Sequence, residues 1–297
     1  MNAQLKAILP TNLFHMLTDD ILNEAEEVRL RINRPIQVVY AETDRLIGGR
    51  EPTASDIHGI MMKLCEGSLY AHDEEIRSGF ITYQGCRVGL CGHAVLENGN
   101  MLRMDSIGGI NIRLAHEHKG CAKKLLHYFL DESMRPRSTL IVSPPRVGKT
   151  TLLRDIARCF SNGSGTPPRR VCIVDERYEI AACMNGAPYF DVGVRTDVIY
   201  GARRSEGLMM AIRTLSPEVL ITDELGNADD IAAVSAAIGA GVAVIASCHG
   251  DAGTICLRRD VKELLDRGLI SGVLAIGRNA NGLFAKRFIY CSEDSVI

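Results

Sequence analysis

The sequence predicts an α/β fold: a mostly parallel sheet covered on both faces by helices, preceded by a smaller α/β module. From about Cys121 onward, short uninterrupted apolar runs alternate with segments whose apolar residues recur at helical spacing. That is the pattern of strands buried on both faces and joined by crossover helices. Before that point the chain shows period-two alternation and a tight turn instead. At 297 residues, with 46% hydrophobic and 24% charged residues, the chain has a globular composition and room for two cores. The expected division is a domain over residues 1–120 and a second over 121–297.

In the first part, Glu27-Val-Arg-Leu-Arg-Ile32 alternates at period two, and Pro35 to Tyr40 follows after a turn. A helix is expected after Thr53, where Ile57, Ile60, Met61 and Leu64 share one face. Phe80 to Tyr83 and Arg87 to Leu90 flank a Gln-Gly-Cys turn and predict a hairpin. In the second part, Leu140-Ile141-Val142 is a buried strand, and Leu152, Leu153, Ile156, Ala157 and Phe160 form the face of the next helix. Ser161 to Pro168 predicts an exposed Ser/Gly/Pro loop. Val171 to Val174 is a second strand. A helix with Leu208, Met209, Ile212 and Leu215 on one side stops at Ser216-Pro217, and strands at Glu218 to Thr222 and Val242 to Ala246 follow.

Composition narrows the function. The net charge of -2 offers no global attraction to nucleic acid or anionic lipid. The first twenty residues lack the unbroken apolar stretch of a secretory signal. Ile231 to Cys248 carries no charge, but Gly239-Ala-Gly241 interrupts it, so a buried helix, a turn and a buried strand are expected rather than a membrane span. The ten cysteines form no Cys-x-x-Cys pair, which predicts reduced thiols packed as small hydrophobes in a cytoplasmic protein.

Ser143-Pro144-Pro145-Arg146-Val147-Gly148-Lys149-Thr150 lies between a strand and a helix, the context of a phosphate-binding loop. Its amides and the helix N-terminus favour an anion, with Thr151 completing the segment. Lys149 is the residue for the β- and γ-phosphates of ATP, and the Thr150 hydroxyl for Mg²⁺. Gly148 permits close backbone approach. Two positions depart from the usual pattern: Ser143 replaces the opening glycine, and Arg146 stands where a common form has a second one. A left-handed Arg146 carries a strain of about 1–2 kcal/mol.

Such a loop needs a carboxylate for the metal and another for the attacking water. Val219-Leu-Ile-Thr-Asp-Glu224 supplies both: Asp223 for Mg²⁺ and Glu224 for water. Asp175-Glu-Arg-Tyr-Glu179 ends another strand, expected beside the loop's own strand, so Glu176 competes with Glu224 as general base. His249 follows the last of these strands, at the ligand crevice of such a sheet. Spacing alone leaves its role open between structural and functional.

Four strand-end segments, Ser143–Thr151, Asp175–Glu179, Glu218–Glu224 and Ser247–Gly250, resemble in order the Walker A, Asp-box, Walker B and His-box motifs of type II and type IV secretion and pilus ATPases. A closer likeness, to the stage III sporulation protein AA family, rests on Glu27-Val-Arg-Leu-Arg-Ile-Asn-Arg-Pro35, Cys86-Arg-Val-Gly89, Asn111-Ile-Arg-Leu114, Val174-Asp-Glu-Arg177, Glu206-Gly-Leu-Met-Met210 and Ser216-Pro-Glu-Val219. The resemblance implies a RecA-like P-loop ATPase core behind a smaller N-terminal α/β domain. It also implies a homo-hexamer with nucleotide between domains and an arginine finger from Arg87, Arg113 or Arg213. As partners it implies membrane proteins of a channel between mother cell and forespore, reached from the cytoplasm. Two other functions fit the same core: a nucleic-acid-dependent ATPase, for which no basic or aromatic platform is visible and Trp is absent, and a nucleotide-gated module that does not turn over, suggested by Arg146.

Overall fold

A computed structural model describes residues 2–23, 25–40, 43–97, 100–114, 117–183, 185–250, 259–279 and 282–290. The chain forms two compact units, Met1–His116 and Glu117–Ile297. Among the described residues no helix is long and apolar enough to cross a membrane.

The first unit opens on helices α1 (Asn2–Ile8), α2 (Thr11–Phe14) and α3 (Asp19–Asn23). Strands β1 (Glu27–Arg31), β2 (Ile36–Val39) and β3 (Asp44–Ile47) follow, then α4 (Ala54–Leu64), α5 (Asp73–Arg77), β4 (Phe80–Tyr83), β5 (Cys86–Glu97) and β6 (Asn100–Arg113). The strands make one sheet in the order β3-β2-β1-β6-β5-β4, antiparallel throughout. Alternation along β1 buries Val28 and Leu30, which register opposite Ile112 and Ile110 of β6. α4 starts where the sequence predicts. Thr53 accepts from the Asp56 amide while the Asp56 carboxylate accepts from Thr53 N, and Ile57, Ile60, Met61 and Leu64 are buried. Gln84 (φ 44°) and Gly85 (φ 79°) form the turn between β4 and β5, a two-residue geometry whose twist suits paired strands.

The second unit contains β7 (Thr139–Ser143), α6 (Lys149–Asn162), β8 (Val171–Asp175), β9 (Thr196–Tyr200), α7 (Arg204–Thr214) and β10 (Val219–Thr222). It continues through α8 (Ala228–Gly239), β11 (Ala243–His249), α9 (Arg259–Asp266), β12 (Gly272–Asn279) and β13 (Gly282–Tyr290). The sheet order is β13-β12-β7-β11-β10-β8-β9; only the β12–β13 pair is antiparallel. Both faces are dry. Ile141, Ile173, Ile221 and Ile245 pack with Leu152, Leu153, Ile156 and Phe160 of α6. Their sequence neighbours Val142, Cys172, Leu220 and Val244 pack on the opposite face with Leu208 of α7, Val234 of α8 and Leu264 of α9. An uninterrupted apolar run is therefore what each strand requires, because successive side chains enter different cores.

Two expectations are corrected. β8 does not neighbour the loop strand β7: β11 and β10 lie between them, and the edges of β7 are taken by β11 and β12. Crossover connections let β8 pair with β10 instead, with Val171 opposite Val219. The loop expected from Ser161 begins two residues later, because α6 runs to Asn162 and caps on left-handed Gly163. Ser161 is buried and bound to Arg195, whose amide donates to Ser161 Oγ at 2.6 Å and whose guanidinium donates to the Ser161 carbonyl at 2.9 Å. Of the cysteines described, Cys65, Cys86, Cys159, Cys172, Cys183 and Cys248 are buried, Cys121 is half-buried and Cys91 is exposed. Cys256 and Cys291 lie outside the described residues.

α7 sits close against β8 at Gly207, where an added Cβ would lie 2.7 Å from Val174 Cγ1, a stiff buried side chain. Gly207→Val overpacks that contact and should cost about 1–3 kcal/mol, read as a lower urea midpoint. An unchanged midpoint would contradict the close packing.

Candidate nucleotide site

The parallel strands of the second unit end along one edge of the sheet, and the polar groups excluded from both cores collect there. Between β7 and α6 the chain turns through exposed Pro144, Pro145 and Arg146 and half-buried Val147 and Gly148. Arg146 has φ 64° and Gly148 φ 116°, so the arginine adopts the left-handed backbone that a glycine adopts without strain. Gly148 caps α6, its carbonyl accepting from Leu152 N at 2.9 Å. The first-turn amides, at Lys149, Thr150 and Thr151, have no intrahelical acceptor and present the positive end of the helix dipole.

Lys149 is only 6% exposed. Its Nζ donates to the Ser143 carbonyl at 3.0 Å, the Pro144 carbonyl at 3.1 Å and Ser143 Oγ at 3.3 Å, and lies 2.9 Å from His249 Nδ1. An ammonium has no lone pair, so Nδ1 is the acceptor and Nε2 carries the proton. Nε2 then donates to Glu224 Oε1 at 2.8 Å. Arg177 pairs with the other Glu224 oxygen. The register explains the reach: His249 of β11 stands opposite Ser143, the last residue of β7 before the loop. Burial pushes the Lys149 ammonium below its usual range, against the pull of Glu224. Burial pushes Glu224 up, but the His249 hydrogen bond and the charge of Arg177 hold it below the usual carboxylate range.

A second network lies beside the first. Arg204, 5% exposed at the start of α7, pairs with Glu176 at 3.0 Å, Asp230 at 3.1 Å and Asp223 Oδ1 at 3.3 Å. Asp223 Oδ2 is buried with no hydrogen-bond partner. Burial pushes the Asp223 carboxyl up to about 6, against Arg204 and helped by the like charges of Asp175 and Glu179. Asp175 itself is fully buried and accepts from the amides of Glu179 (2.8 Å), Ile180 (3.1 Å) and Ala181 (2.9 Å). Arg154 of α6 ties the same loop down, donating to the carbonyls of Ile180 at 2.6 Å and Glu179 at 2.8 Å beneath the Phe190 ring.

The donor set fits magnesium bound through phosphate. Among the described residues no three His, Cys, Asp or Glu side chains converge as a cage. Magnesium on a nucleotide needs only one or two protein oxygens, and the bare Oδ2 of Asp223 would meet that need.

The family model described as sporulation stage III, protein AA, matches residues 1–290. The chain belongs to that family. Stage III sporulation protein AA of Bacillus subtilis (strain 168) is 40% identical over 277 residues, covering 92% of this chain and 89% of its own. Among solved structures, the Legionella pneumophila ATPase DotB superposes with a TM-score of 0.64 at 16% identity, covering 96% of this chain and 82% of its own. The pilus retraction motor PilT with bound ADP gives a TM-score of 0.59 at 12% identity, covering 93% and 82%. These likenesses show the fold, a RecA-like one shared with the ATPase DotB and the motor PilT.

The fold thus gathers Ser143, Lys149, Glu224 and His249 into one hydrogen-bonded line, and Glu176 and Asp223 into the Arg204 cluster. Arg213 is exposed in the last turn of α7, at the opposite end from Arg204. Arg87 and Arg113 belong to the first unit, Arg87 with its guanidinium 4.0 Å from the centre of the Phe80 ring and Arg113 3.5 Å from Glu27. Sequence reasoning missed Arg204, Arg154 and Asp230. A signal existed for one of them: an arginine opening a helix stands at the end whose dipole repels it, so it calls for anions.

The raised Asp223 carboxyl has a consequence for stability. A carboxyl that ionises near 6 when folded, against 3.8 ordinarily, keeps its proton longer in the folded chain, so its contribution falls as pH rises through that window. The full cost, roughly 3 kcal/mol at neutral pH, disappears when the residue cannot ionise. Asp223→Asn should raise the melting temperature of the nucleotide-free protein at pH 7.5, with the advantage shrinking towards pH 4. An advantage independent of pH would contradict this.

Proposed function

We propose that this chain is a magnesium-dependent ATPase of endospore formation. It works as a ring, a homo-hexamer on the mother-cell side, to drive a membrane-embedded, secretion-like channel. The observation that carries the reading is the line Lys149–His249–Glu224, which links the loop cation to a strand-end carboxylate. The fold shared with the ATPase DotB and the ADP-bound motor PilT supports a nucleotide as ligand, and membership in a sporulation family supports the setting.

Bound MgATP supplies a terminal phosphoryl group for transfer to water. The loop from Ser143 to Thr151 would wrap its phosphates, with the N–H groups of Arg146 to Thr151 as donors because Pro144 and Pro145 have none, and Lys149 would exchange the Ser143 and Pro144 carbonyls for phosphate oxygens. The Thr150 hydroxyl and Asp223 Oδ2 hold the metal. Glu224 accepts the proton of the attacking water, oriented by His249. Glu176 is the weaker candidate for that role because its carboxylate is committed to Arg204. Arg87, Arg113 or Arg213 of a neighbouring subunit supplies the charge that stabilises the transition state.

A second reading, a nucleotide-gated module without turnover, draws on left-handed Arg146 and the self-satisfied Lys149. Phosphate release from the purified protein, with membranes containing its channel, separates them. The ATPase reading expects magnesium-dependent turnover, abolished in Lys149→Ala. It should fall at least about 100-fold in kcat in Glu224→Gln and less than about tenfold in Glu176→Gln. Tight ATP binding with no turnover, and turnover gained on Arg146→Gly, would overturn the ATPase reading for the wild-type chain.

A further inference from the structure

Arg204 is a cation in the wrong place by two criteria. It is almost fully buried, and it opens α7, where the helix dipole disfavours positive charge. Three carboxylates from three elements compensate it: Glu176 beyond β8, Asp223 beyond β10 and Asp230 in α8. One guanidinium cannot neutralise three carboxylates. Two of the three have another tie: Asp230 accepts from the Gly226 amide at 3.2 Å, and Glu176 is partly open to water. Asp223 has neither. It is 1% exposed; Oδ1 lies on Arg204, and Oδ2 is bare. The local charge deficit therefore converges on one oxygen.

We propose that Arg204 is the positioning residue for the metal. By gripping Oδ1 of Asp223 while anchored to Asp230 and Glu176, it fixes the carboxylate plane so that Oδ2 alone is presented to magnesium. Glu176 thereby acts as a brace for Arg204 and not as a base. The inference rests on the MgATP reading above and assigns residues within it. A guanidinium spans three acceptors because its donors are spread in a rigid fork, whereas an ammonium offers a point charge. Lysine at this position can hold Asp223 but cannot bridge the cluster.

The test is titration of a non-hydrolysable ATP analogue into the intact chain, at magnesium concentrations from chelated to saturating. Arg204→Met should need about tenfold more magnesium for half-maximal tightening of binding, with affinity under chelation within about twofold of wild type. Arg204→Lys should fall between the two. Asp230→Asn, which removes one anchor and no charge from Arg204, should shift the magnesium requirement several-fold in the same direction. A requirement that is unchanged or lower in folded Arg204→Met would overturn the proposal, the latter showing that Arg204 merely competes with the metal. Should Arg204→Met fail to fold by circular dichroism, an unshifted requirement in Asp230→Asn overturns it instead. A wild-type chain that binds no analogue at any magnesium level sinks the MgATP reading itself. Binding that is normal in the wild type and unmoved in the variants sinks only this proposal.

Discussion

A buried ammonium organises the edge of the second unit. Lys149 is nearly inaccessible, and a lone buried charge of that kind is costly by several kcal/mol. The fold answers with groups from separate elements: the end of β7 through Ser143, the loop through Pro144, and β11 through His249. Through His249 the line extends to Glu224 after β10. The sheet order makes this possible, because β11 lies between β7 and β10 and brings one histidine into register with the loop. In this form the lysine is satisfied by its own loop, with neutral carbonyl acceptors that an anionic phosphate would outcompete by charge.

Adjacent residues serve different networks. Asp223 turns into the cluster around Arg204, while Glu224 turns towards His249 and Arg177. Glu224 achieves this with φ 39°, a sparsely populated backbone conformation for a residue with a Cβ, worth about 1–3 kcal/mol of strain. Ser247 of β11 holds the turn in place, its Oγ accepting from Glu224 N at 3.2 Å and its carbonyl from Leu225 N at 2.9 Å. Asp175 plays a different part from its acidic neighbours. Wrapped in backbone amides, it shapes the loop that carries Glu176 and Arg177.

What the sequence revealed follows from how local each signal is. The strand-to-helix turn after Ser143, the helix after Thr53 and the tight turn at Gln84-Gly85 are set within a few residues, and all three stand where their patterns place them. The four central strands were visible as apolar runs because both faces of each are buried. The edge strands were harder to see: β9 carries half-buried Thr196 and Ile199 with exposed Asp197, and β13 carries Lys286 and Arg287. Strand neighbourhood was misjudged at β8 because crossovers, not sequence order, decide spatial order. Arg204 is hard to read from sequence because a basic residue beside Arg203 looks like surface, and the three carboxylates that reveal its role come from distant segments.

The central claim is that this loop and these strand ends enclose magnesium triphosphate. Isothermal titration calorimetry of ATP into the chain with magnesium present tests it most directly. Saturable uptake near one nucleotide per chain, absent in a Lys149→Ala variant that melts like the wild type, is the predicted result. No heat of binding in the wild type, or equal affinity in the two proteins, would contradict it.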